Sequence, residues 1–229
     1  MQNINHAVII AAGRGQRMMP LTKKLPKAMA NYDGSTLIAN GIEKLKLHIP
    51  NVHITVGYQK ALLAKHVIEH NVSSIFNTEG KGNCWWIYNT LLKFINEPVI
   101  VLTCDNVVEL DIDLLTKNYF HHGEPACMVI PVKPVEGLDG DYIFHNKNVV
   151  HELSRLKTSD IYCSGIQIIN PAKINSSISP VEDFNLLWKY LIEQKQLYCS
   201  DIYPSKWFTV DTVEQLNTLQ SNSSYSAPM

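Results

Sequence analysis

Residues 11–29 read AAGRGQRMMPLTKKLPKAM, and this stretch decides both the expected fold and the expected chemistry. The run just before it, residues 7–12, is short, apolar and rich in β-branched side chains, as a buried parallel strand is. Two glycines, Pro20 and several long polar side chains then predict a loop over residues 13–22. The sequence therefore predicts a strand that opens into a glycine-rich loop.

The composition of this loop suits phosphate binding. Gly13 and Gly15 lack a Cβ atom, so backbone N–H groups beside them can approach phosphate oxygens closely. Arg17 supplies a fixed positive charge for a triphosphate, and Lys27 supplies a second cation for another phosphate. The missing GK[ST] excludes a Walker A loop, and the glycine spacing excludes the G-x-G-x-x-G dinucleotide fingerprint.

Strands alternate with helices over the first half of the chain, which predicts a parallel sheet with crossover helices. The predicted strands there cover residues 7–12, 52–57, 74–77 and 98–104, and the predicted helices cover residues 36–47, 61–69 and 84–94. The second half is richer in strands, at residues 126–132, 142–144, 149–150, 162–169 and 207–210, with helices at 182–194 and 213–219. We therefore predict an α/β fold with a Rossmann-like mixed, mostly parallel sheet flanked by helices.

The charge, the cysteines and the apolar runs of the sequence argue against several classes of protein. The formal net charge is −1, which leaves no electrostatic footprint for nucleic acid or for an anionic membrane. The five cysteines are far apart and form no C-x-x-C pair, so we expect reduced thiols and neither a zinc site nor a disulfide framework. No signal peptide or membrane helix is recognisable, so we expect a cytoplasmic protein.

The pattern AAGxGxRMxPLTxxxPKAM within residues 11–29 resembles the signature of the sugar-phosphate nucleotidyltransferase superfamily, whose members build NDP-sugars and small CDP-alcohols. The VGY of residues 56–58 matches the family's sequence after its second strand, and WFTVDT at residues 207–212 resembles its late WxDVGT segment. The resemblance covers about residues 6–220 and implies a nucleotide-diphospho-sugar transferase-like fold. The sequence has no internal repeat and no linker, so we expect one domain over residues 1–229, with a nucleotide-binding half at about 6–120 and an acceptor-binding half at about 121–220. Residues 221–229 are small and polar, and we expect this tail to fray.

The resemblance also implies roles for individual residues. The residues implied to bind the nucleotide are Ala11, Ala12, Gly13, Arg14, Gly15, Asn77, Gly82, Asn83 and Asp105. Those implied to act in catalysis are Arg17, Lys27 and Asp105, and those implied to bind the acceptor substrate are Lys27, Trp86, Glu152 and Gly165.

A magnesium site is expected at Asp105 and Asp211. Each aspartate follows an apolar strand, at the end where open α/β sheets place their ligand crevice. Two carboxylates with phosphate and water oxygens suit Mg²⁺, and the family places its metal ligands at these two positions. A helix cap or turn residue is the alternative interpretation of both aspartates.

Three departures from the family pattern concern the acceptor. Residues 82–87 read GNCWWI where many sugar-specific relatives carry small residues, so Trp85 and Trp86 are each interpreted either as core or as a stacking surface. This stretch, with Asn77 and Asn89, is loosely similar to choline-phosphate cytidylyltransferases. The family's EKP patch is represented only by residues 152–155, and its NxG by residues 163–165.

Three functions follow as hypotheses. The leading one is Mg²⁺-dependent condensation of an NTP, CTP or UTP above all, with a sugar 1-phosphate for surface-glycan or capsule synthesis. The second is a CTP-specific enzyme for a non-sugar phosphate such as phosphocholine or another phosphorylated amino alcohol or amide. The third is a non-catalytic protein that senses sugar nucleotides. The base, the acceptor and the oligomeric state stay open at this level.

Overall fold

The computed structural model of the protein describes residues 3–135, 138 and 140–224. The strands, numbered in chain order, are β1 (His6–Ala11), β2 (Asn31–Tyr32), β3 (Ser35–Thr36), β4 (Asn51–Val56), β5 (Ser74–Asn77), β6 (Val99–Thr103), β7 (Asn106–Glu109), β8 (Cys127–Val132), β9 (Tyr142–Asn146), β10 (Val149–Ser154), β11 (Tyr162–Ile169), β12 (Leu197–Cys199) and β13 (Lys206–Thr209). The α-helices are α1 (Leu37–Lys46), α2 (Lys60–Ile68), α3 (Trp85–Asn89), α4 (Ile112–His121), α5 (Pro171–Ser177), α6 (Phe184–Glu193) and α7 (Val213–Ser224). Short 3-10 helices cover Gln16–Met18, Leu21–Lys23, Lys27–Met29 and Leu91–Phe94.

Nine strands form one sheet in the order β5-β4-β1-β6-β11-β8-β12-β10-β9. The first four of these strands are parallel, β12 is parallel to β8, and β11 and β10 run antiparallel to their neighbours. The predicted mixed, mostly parallel α/β sheet is therefore confirmed. Tyr162 of β11 also pairs with Tyr142 of β9, which closes the five C-terminal strands of the sheet on themselves.

The strand register brings the carboxyl ends of the parallel strands to one edge. Ala11 of β1 lies opposite Val56 of β4, Val56 lies opposite Asn77 of β5, and Thr103 of β6 lies beside Ile10. Loops that leave this edge from different strands are consequently close neighbours.

Helices cover both faces because side chains along a strand alternate between them. Ala7 and Ile9 of β1 pack in a core with α1, α2 and α4, whereas Val8 packs in a second core with α3, α5 and α6. A third, smaller cluster joins Met18 of the glycine-rich loop to Leu216 and Leu219 of α7. No helix in the described part of the chain is long and apolar enough to cross a membrane.

Two predicted helices have different limits in the structure. The helix predicted over residues 84–94 is interrupted at Thr90, whose φ of −118° and ψ of 174° are extended. The Thr90 hydroxyl donates to the Trp86 carbonyl and accepts from the Leu92 N–H, which stabilises this break. The closing helix runs to Ser224, so the prediction of a tail from residue 221 is wrong for residues 221–224, and residues 225–229 lie outside the described ones.

His6 of β1 and His53 of β4 are neighbours in the sheet, and His53 also contacts Ser74 of β5. His53 is 6% exposed, and its ring nitrogens lie 3.1 Å from His6 Nδ1 and 2.7 Å from Ser74 Oγ. Burial, with His6 as a lesser cause, lowers the pKa of His53 to about 4. Burial also lowers the pKa of His6, and Glu97 offsets part of that change. The fold therefore holds His53 neutral at pH values where an unfolded chain would protonate it.

We predict that the pair makes folding sensitive to mild acid. The unfolded chain binds a proton at His53 as pH falls below about 6.5, while the folded chain resists it until about pH 4, so stability is lost across that window. Between pH 7.0 and pH 5.0, proton binding at His53 in the unfolded chain should lower the free energy of unfolding by ~2 kcal/mol. Urea unfolding at pH 7.0, 6.0 and 5.0 should show a shallower pH slope for His53→Gln than for the wild type. His145→Gln, on the exposed β9–β10 hairpin, is the control. Equal slopes for wild type and His53→Gln would contradict this prediction.

Candidate active site

Two aspartates that are far apart in sequence meet at the carboxyl end of β6. Asp105 lies two residues after the last residue of β6, and Asp211 lies two residues after the last residue of β13. Antiparallel pairing of β7 with β13 places Thr209 opposite Asn106, and the Val210 N–H donates to the Asp105 carbonyl at 3.0 Å. The tertiary fold thus joins the two segments through backbone bonds, and the two carboxylates face the same point.

The Lys27 ammonium occupies that point. Lys27 Nζ donates to Asp105 Oδ2 at 2.5 Å and to Asp211 Oδ1 at 2.9 Å, and the residue is only 8% exposed. Burial by itself lowers the pKa of Lys27, but the Asp105 and Asp211 carboxylates more than offset that cost, so the pKa lies above its usual value. Lys27 is therefore positively charged throughout the physiological pH range.

Arg17 adds a second positive charge on the solvent side. Its guanidinium lies 3.0 Å from Asp211 Oδ1, and its side chain is 69% exposed. The Gln215 amide oxygen accepts from the N–H groups of Asp211 and Thr212, which orients the start of α7 and with it the Asp211 side chain. We call Arg17, Lys27, Asp105 and Asp211 the four-charge cluster. Three of its side chains are largely buried, and the fourth, Arg17, is open to solvent.

The glycines of the loop allow this packing. Gly15 has a φ of +65°, and a Cβ atom there would lie 2.7 Å from Lys27 Cβ. Thr22 Oγ1 donates to the Gly15 carbonyl at 3.0 Å. A side chain at residue 15 would displace the Lys27 stem, so this glycine determines where the ammonium lies.

The VGY segment supports the loop from its other side. A Cβ atom on Gly57 would lie 2.6 Å from the Ala12 carbonyl oxygen, which itself accepts from the Tyr58 N–H at 3.0 Å. The Tyr58 hydroxyl donates to the Thr22 carbonyl at 2.9 Å, and the Arg14 guanidinium lies 5.3 Å from the Tyr58 ring centroid. Ala11, Ala12, Gly13, Arg14 and Gly15 therefore lie on one braced loop beside the four-charge cluster.

A polar chain behind Asp105 was missed by the sequence reasoning. Thr103 Oγ1 donates to Asp105 Oδ1 at 2.5 Å, and Asn106 Nδ2 donates to Thr103 Oγ1 at 2.8 Å. Trp207 Nε1 donates to Asn106 Oδ1 at 3.1 Å and to the Ser164 carbonyl at 3.0 Å. The available signal was that Thr103 and Asn106 flank Asp105 in the sequence.

Gly165 is brought to this site, whereas Glu152 is not. Gly165 has a φ of +81°, and a Cβ atom there would lie 3.2 Å from Asn106 Nδ2. Glu152 lies on β10, which is not a neighbour of β6, and its carboxylate pairs with Lys157 Nζ at 2.7 Å. The described residues show no contact between Glu152 and the four-charge cluster.

The stretch implied to bind the nucleotide base lies at the carboxyl end of β5. Asn77 is exposed there, and its side-chain oxygen accepts from the Glu79 N–H at 3.2 Å. The Gly82 N–H donates to Glu182 Oε2, and the Asn83 side-chain oxygen accepts from the Phe184 N–H. The Asn83 side chain is thus already engaged with the start of α6.

The structure contradicts the candidate role of Trp86 in substrate binding. Trp86 is 1% exposed and packs in the second core with Phe184 and Leu187. An indole in that position can stack on a ligand only if the core opens. Trp85 is half-buried, has Lys81 Nζ 5.7 Å from its ring, and faces the same cleft as Asn77 and Asn89.

The carboxylates of Asp105 and Asp211 suit a Mg²⁺ ion that is also bound by a phosphate ligand. Asp105 and Asp211 supply two carboxylates at the point that the Lys27 ammonium occupies, and Mg²⁺ commonly takes one or two carboxylates with phosphate and water oxygens. The two carboxylates would hold Mg²⁺ together only when Lys27 Nζ moves from between them. Within the described part of the chain, no group of three or more His, Cys, Asp or Glu side chains converges on one point. The residues therefore fit a metal shared with a phosphate ligand and do not fit an all-protein cage.

Comparison with curated proteins identifies sugar-phosphate nucleotidyltransferases as relatives. The chain is 27% identical over 220 residues to the mannose-1-phosphate guanyltransferase of Pichia angusta, which covers 89% of this chain and 60% of that protein. It is 30% identical over 155 residues to the bifunctional protein GlmU of Methanococcus maripaludis, which covers 68% of this chain and 36% of that protein. The chain therefore spans less than two thirds of the length of these relatives.

Solved structures share the fold over nearly the whole chain. The inositol-1-phosphate CTP transferase from T. maritima superposes with a TM-score of 0.78 at 17% identity and covers 100% of both chains. The CTP:phosphocholine cytidylyltransferase from Streptococcus pneumoniae superposes with a TM-score of 0.74 at 22% identity, over 95% of this chain and 98% of that one.

The profile of one protein family matches residues 7–167, from β1 through most of β11. That range includes the glycine-rich loop, Lys27, Asp105 and Gly165, and only Asp211 of the four-charge cluster lies beyond it. This match over more than half of the sequence shows that the chain belongs to the MobA-like NTP transferase domain family.

Proposed function

We propose that this protein is an Mg²⁺-dependent nucleotidyltransferase that condenses an NTP with a sugar 1-phosphate to give an NDP-sugar and pyrophosphate. The observation that carries the proposal is the convergence of Arg17, Lys27, Asp105 and Asp211 beside the glycine-rich loop. The relatives named as sugar-phosphate nucleotidyltransferases support the same reaction. We place it in the cytoplasm and, as the family resemblance implies, in surface-glycan or capsule synthesis, with CTP or UTP as the preferred NTP.

The reaction brings two anions together. An oxygen of the acceptor phosphate attacks the α-phosphorus of the NTP, the bond from that phosphorus to the bridging oxygen breaks, and pyrophosphate leaves with that oxygen. The attacking phosphate is already ionised, so the step needs positioning and charge neutralisation more than it needs a general base. Backbone N–H groups of the glycine-rich loop and the Arg17 guanidinium would hold the triphosphate, and the Lys27 ammonium the acceptor phosphate.

The two carboxylates of the four-charge cluster would bind the metal ion. Asp105 and Asp211 would hold Mg²⁺, which when bound supplies Lewis-acid neutralisation at phosphate oxygens. The hydroxyl of Thr103 and, through it, the amide of Asn106 fix the rotamer of Asp105. Lys27 stays charged in its pair with both carboxylates, and its ammonium would exchange these partners for the acceptor phosphate when substrate and Mg²⁺ bind.

A second candidate function is CTP-dependent transfer to a non-sugar phosphate such as a phosphorylated amino alcohol. The observation that favours it is a cleft of about 430 Å³ beside β5, whose lining includes Asn77, Trp85 and Asn89. Amides beside an aromatic face suit recognition of a nucleobase. The non-catalytic hypothesis is less well supported, because all four residues of the four-charge cluster are present and in contact.

The experiment that tests the proposal measures pyrophosphate release. The purified protein is incubated with Mg²⁺, each of ATP, CTP, GTP, UTP and dTTP, and pooled sugar and alcohol phosphates. Release with a sugar 1-phosphate supports the leading function, and release only with CTP and an amino alcohol phosphate supports the second. Tight NTP binding without release from any pool would favour the non-catalytic hypothesis.

Loss of the Asp105 carboxylate should abolish turnover and leave the fold intact. In Asp105→Ala the Lys27 ammonium keeps its pair with Asp211, so the melting temperature should change by only a few degrees. The value of kcat/KM should fall by a factor of about 10² or more. Asp113→Ala, on the exposed side of α4, is the matched control. Wild-type rates in Asp105→Ala would refute the metal assignment.

Loss of the Arg17 charge and loss of the Lys27 charge should affect different steady-state kinetic constants. Arg17→Ala should raise KM for the NTP about tenfold or more, because a charge-assisted contact to the triphosphate is lost. Lys27→Met should instead lower kcat/KM for the acceptor by at least about tenfold. Lys24→Ala, an exposed cation of the same loop, controls for general loss of charge. The two assignments are wrong if Arg17→Ala and Lys27→Met have indistinguishable effects on both substrates.

A further inference from the structure

Residues 82–84 are bonded to residues 181–184, a contact that we call the clasp. The Gly82 N–H donates to Glu182 Oε2 at 2.9 Å, and the Cys84 N–H donates to the Glu182 carbonyl at 3.2 Å. The Phe184 N–H donates to Asn83 Oδ1 at 2.9 Å, and Cys84 Sγ donates to the Val181 carbonyl at 3.2 Å. Four hydrogen bonds therefore join two loops that come from different halves of the sequence.

The approach of the two loops requires glycine at residue 82. A Cβ atom there would lie 1.8 Å from the Glu182 carbonyl oxygen and 2.4 Å from its carbonyl carbon. Both of those atoms belong to the backbone, so they cannot move aside as a flexible side chain would. The position of Gly82 is thus determined by Glu182 through a backbone contact as well as through the carboxylate.

The clasp is one of two anchors of the loop over residues 78–84. At the other end, the Thr78 N–H donates to the Val56 carbonyl at 2.8 Å, and Thr78 is 4% exposed. Glu79, between the anchors, pairs with Lys60 Nζ at 2.6 Å on the exposed surface. Besides the clasp, the Gly82 end of the loop is held by the Lys81 N–H, which donates to the Thr78 carbonyl at 3.0 Å, and by α3, a helix of five residues.

The other side of the clasp is rigid. Asp183 caps α6 by accepting from the Leu186 N–H, and Phe184 stacks on Trp188 with ring centroids 5.8 Å apart. Trp188 Nε1 donates to Gln167 Oε1 at 2.8 Å, and Gln167 pairs with Val101 of β6. Helix α6 is therefore fixed to β11, the neighbour of the strand that leads to Asp105, and residues 181–184 are supported by the sheet.

We infer that Glu182 is a positioning residue for nucleotide binding, which holds the loop over residues 78–84 in the place where it contacts the NTP. The inference rests on the proposed function, because the family resemblance implies that Gly82 and Asn83 of this loop bind the nucleotide. Glu182 itself acts through Gly82 and Cys84. Asn83 acts through the clasp as well, since its side-chain oxygen caps α6.

The test compares Glu182→Ala with Glu182→Gln, with Glu193→Ala at the far end of α6 as the control. The Kd for each NTP is measured by calorimetry with Mg²⁺, alongside KM for the NTP and for the acceptor. Glu182→Ala should raise the Kd and KM of the NTP about five- to tenfold, as the loss of one such hydrogen bond does. KM for the acceptor should change less than about twofold, and Glu182→Gln should restore NTP affinity because its amide oxygen still accepts from Gly82.

Two results would overturn the inference: an unchanged NTP Kd in Glu182→Ala, or equal losses for NTP and acceptor that Glu182→Gln does not restore. Should Glu182→Ala fail to fold, Glu182→Leu, which also removes the acceptor for the Gly82 N–H, is measured for NTP Kd and acceptor KM in the same way. If the wild type releases no pyrophosphate, the proposed function is wrong. The ratio of the NTP Kd of Glu182→Ala to that of the wild type would still decide the role of Glu182. A wild type that binds no NTP would overturn both.

Discussion

The site depends on one interaction, the Lys27 ammonium held between the Asp105 and Asp211 carboxylates. Two carboxylates this close repel each other unless a cation lies between them, and Lys27 supplies that cation in a nearly buried position. The rest of the local structure serves this geometry. Gly15 leaves room for the Lys27 stem, and the pairing of β7 with β13 carries Asp211 to Asp105.

The shape of the site depends on places where the backbone of one segment lies very close to a neighbouring segment, and glycines occupy these places. Gly15 lies against Lys27, Gly57 against Ala12, and Gly165 against Asn106. At each of these places a Cβ atom would meet an atom of a neighbouring segment, so the contact joins two parts of the chain. Such contacts explain how loops from several strands form one surface without a large number of ion pairs.

The two halves of the chain are joined by more than the sheet. The β7–β13 pairing joins the Asp105 and Asp211 segments on one side, and the clasp joins residues 82–84 to the start of α6 on the other. In the proposed function, the second half of the chain supports the loop over residues 78–84 through the clasp. This arrangement gives α6 and α7, which carry no residue of the family's N-terminal signature, a direct part in the shape of the site.

Local sequence patterns predicted most strands and five of the seven α-helices that the structure describes, because a buried strand or an amphipathic helix depends on residues close together in the chain. They did not predict the strands β7 and β12 or the helices α4 and α5. The string over residues 11–29 indicated the family, and the apolar runs before Asp105 and Asp211 indicated where both lie. The break at Thr90, the length of α7 and the core position of Trp86 were not predictable in this way, since each depends on what packs against it. The chain by itself determined which groups are available for phosphate chemistry. Only the tertiary structure decided that Lys27 joins the two carboxylates, that Asn83 caps α6, and that Glu152 lies elsewhere, because these contacts join segments that only folding brings together.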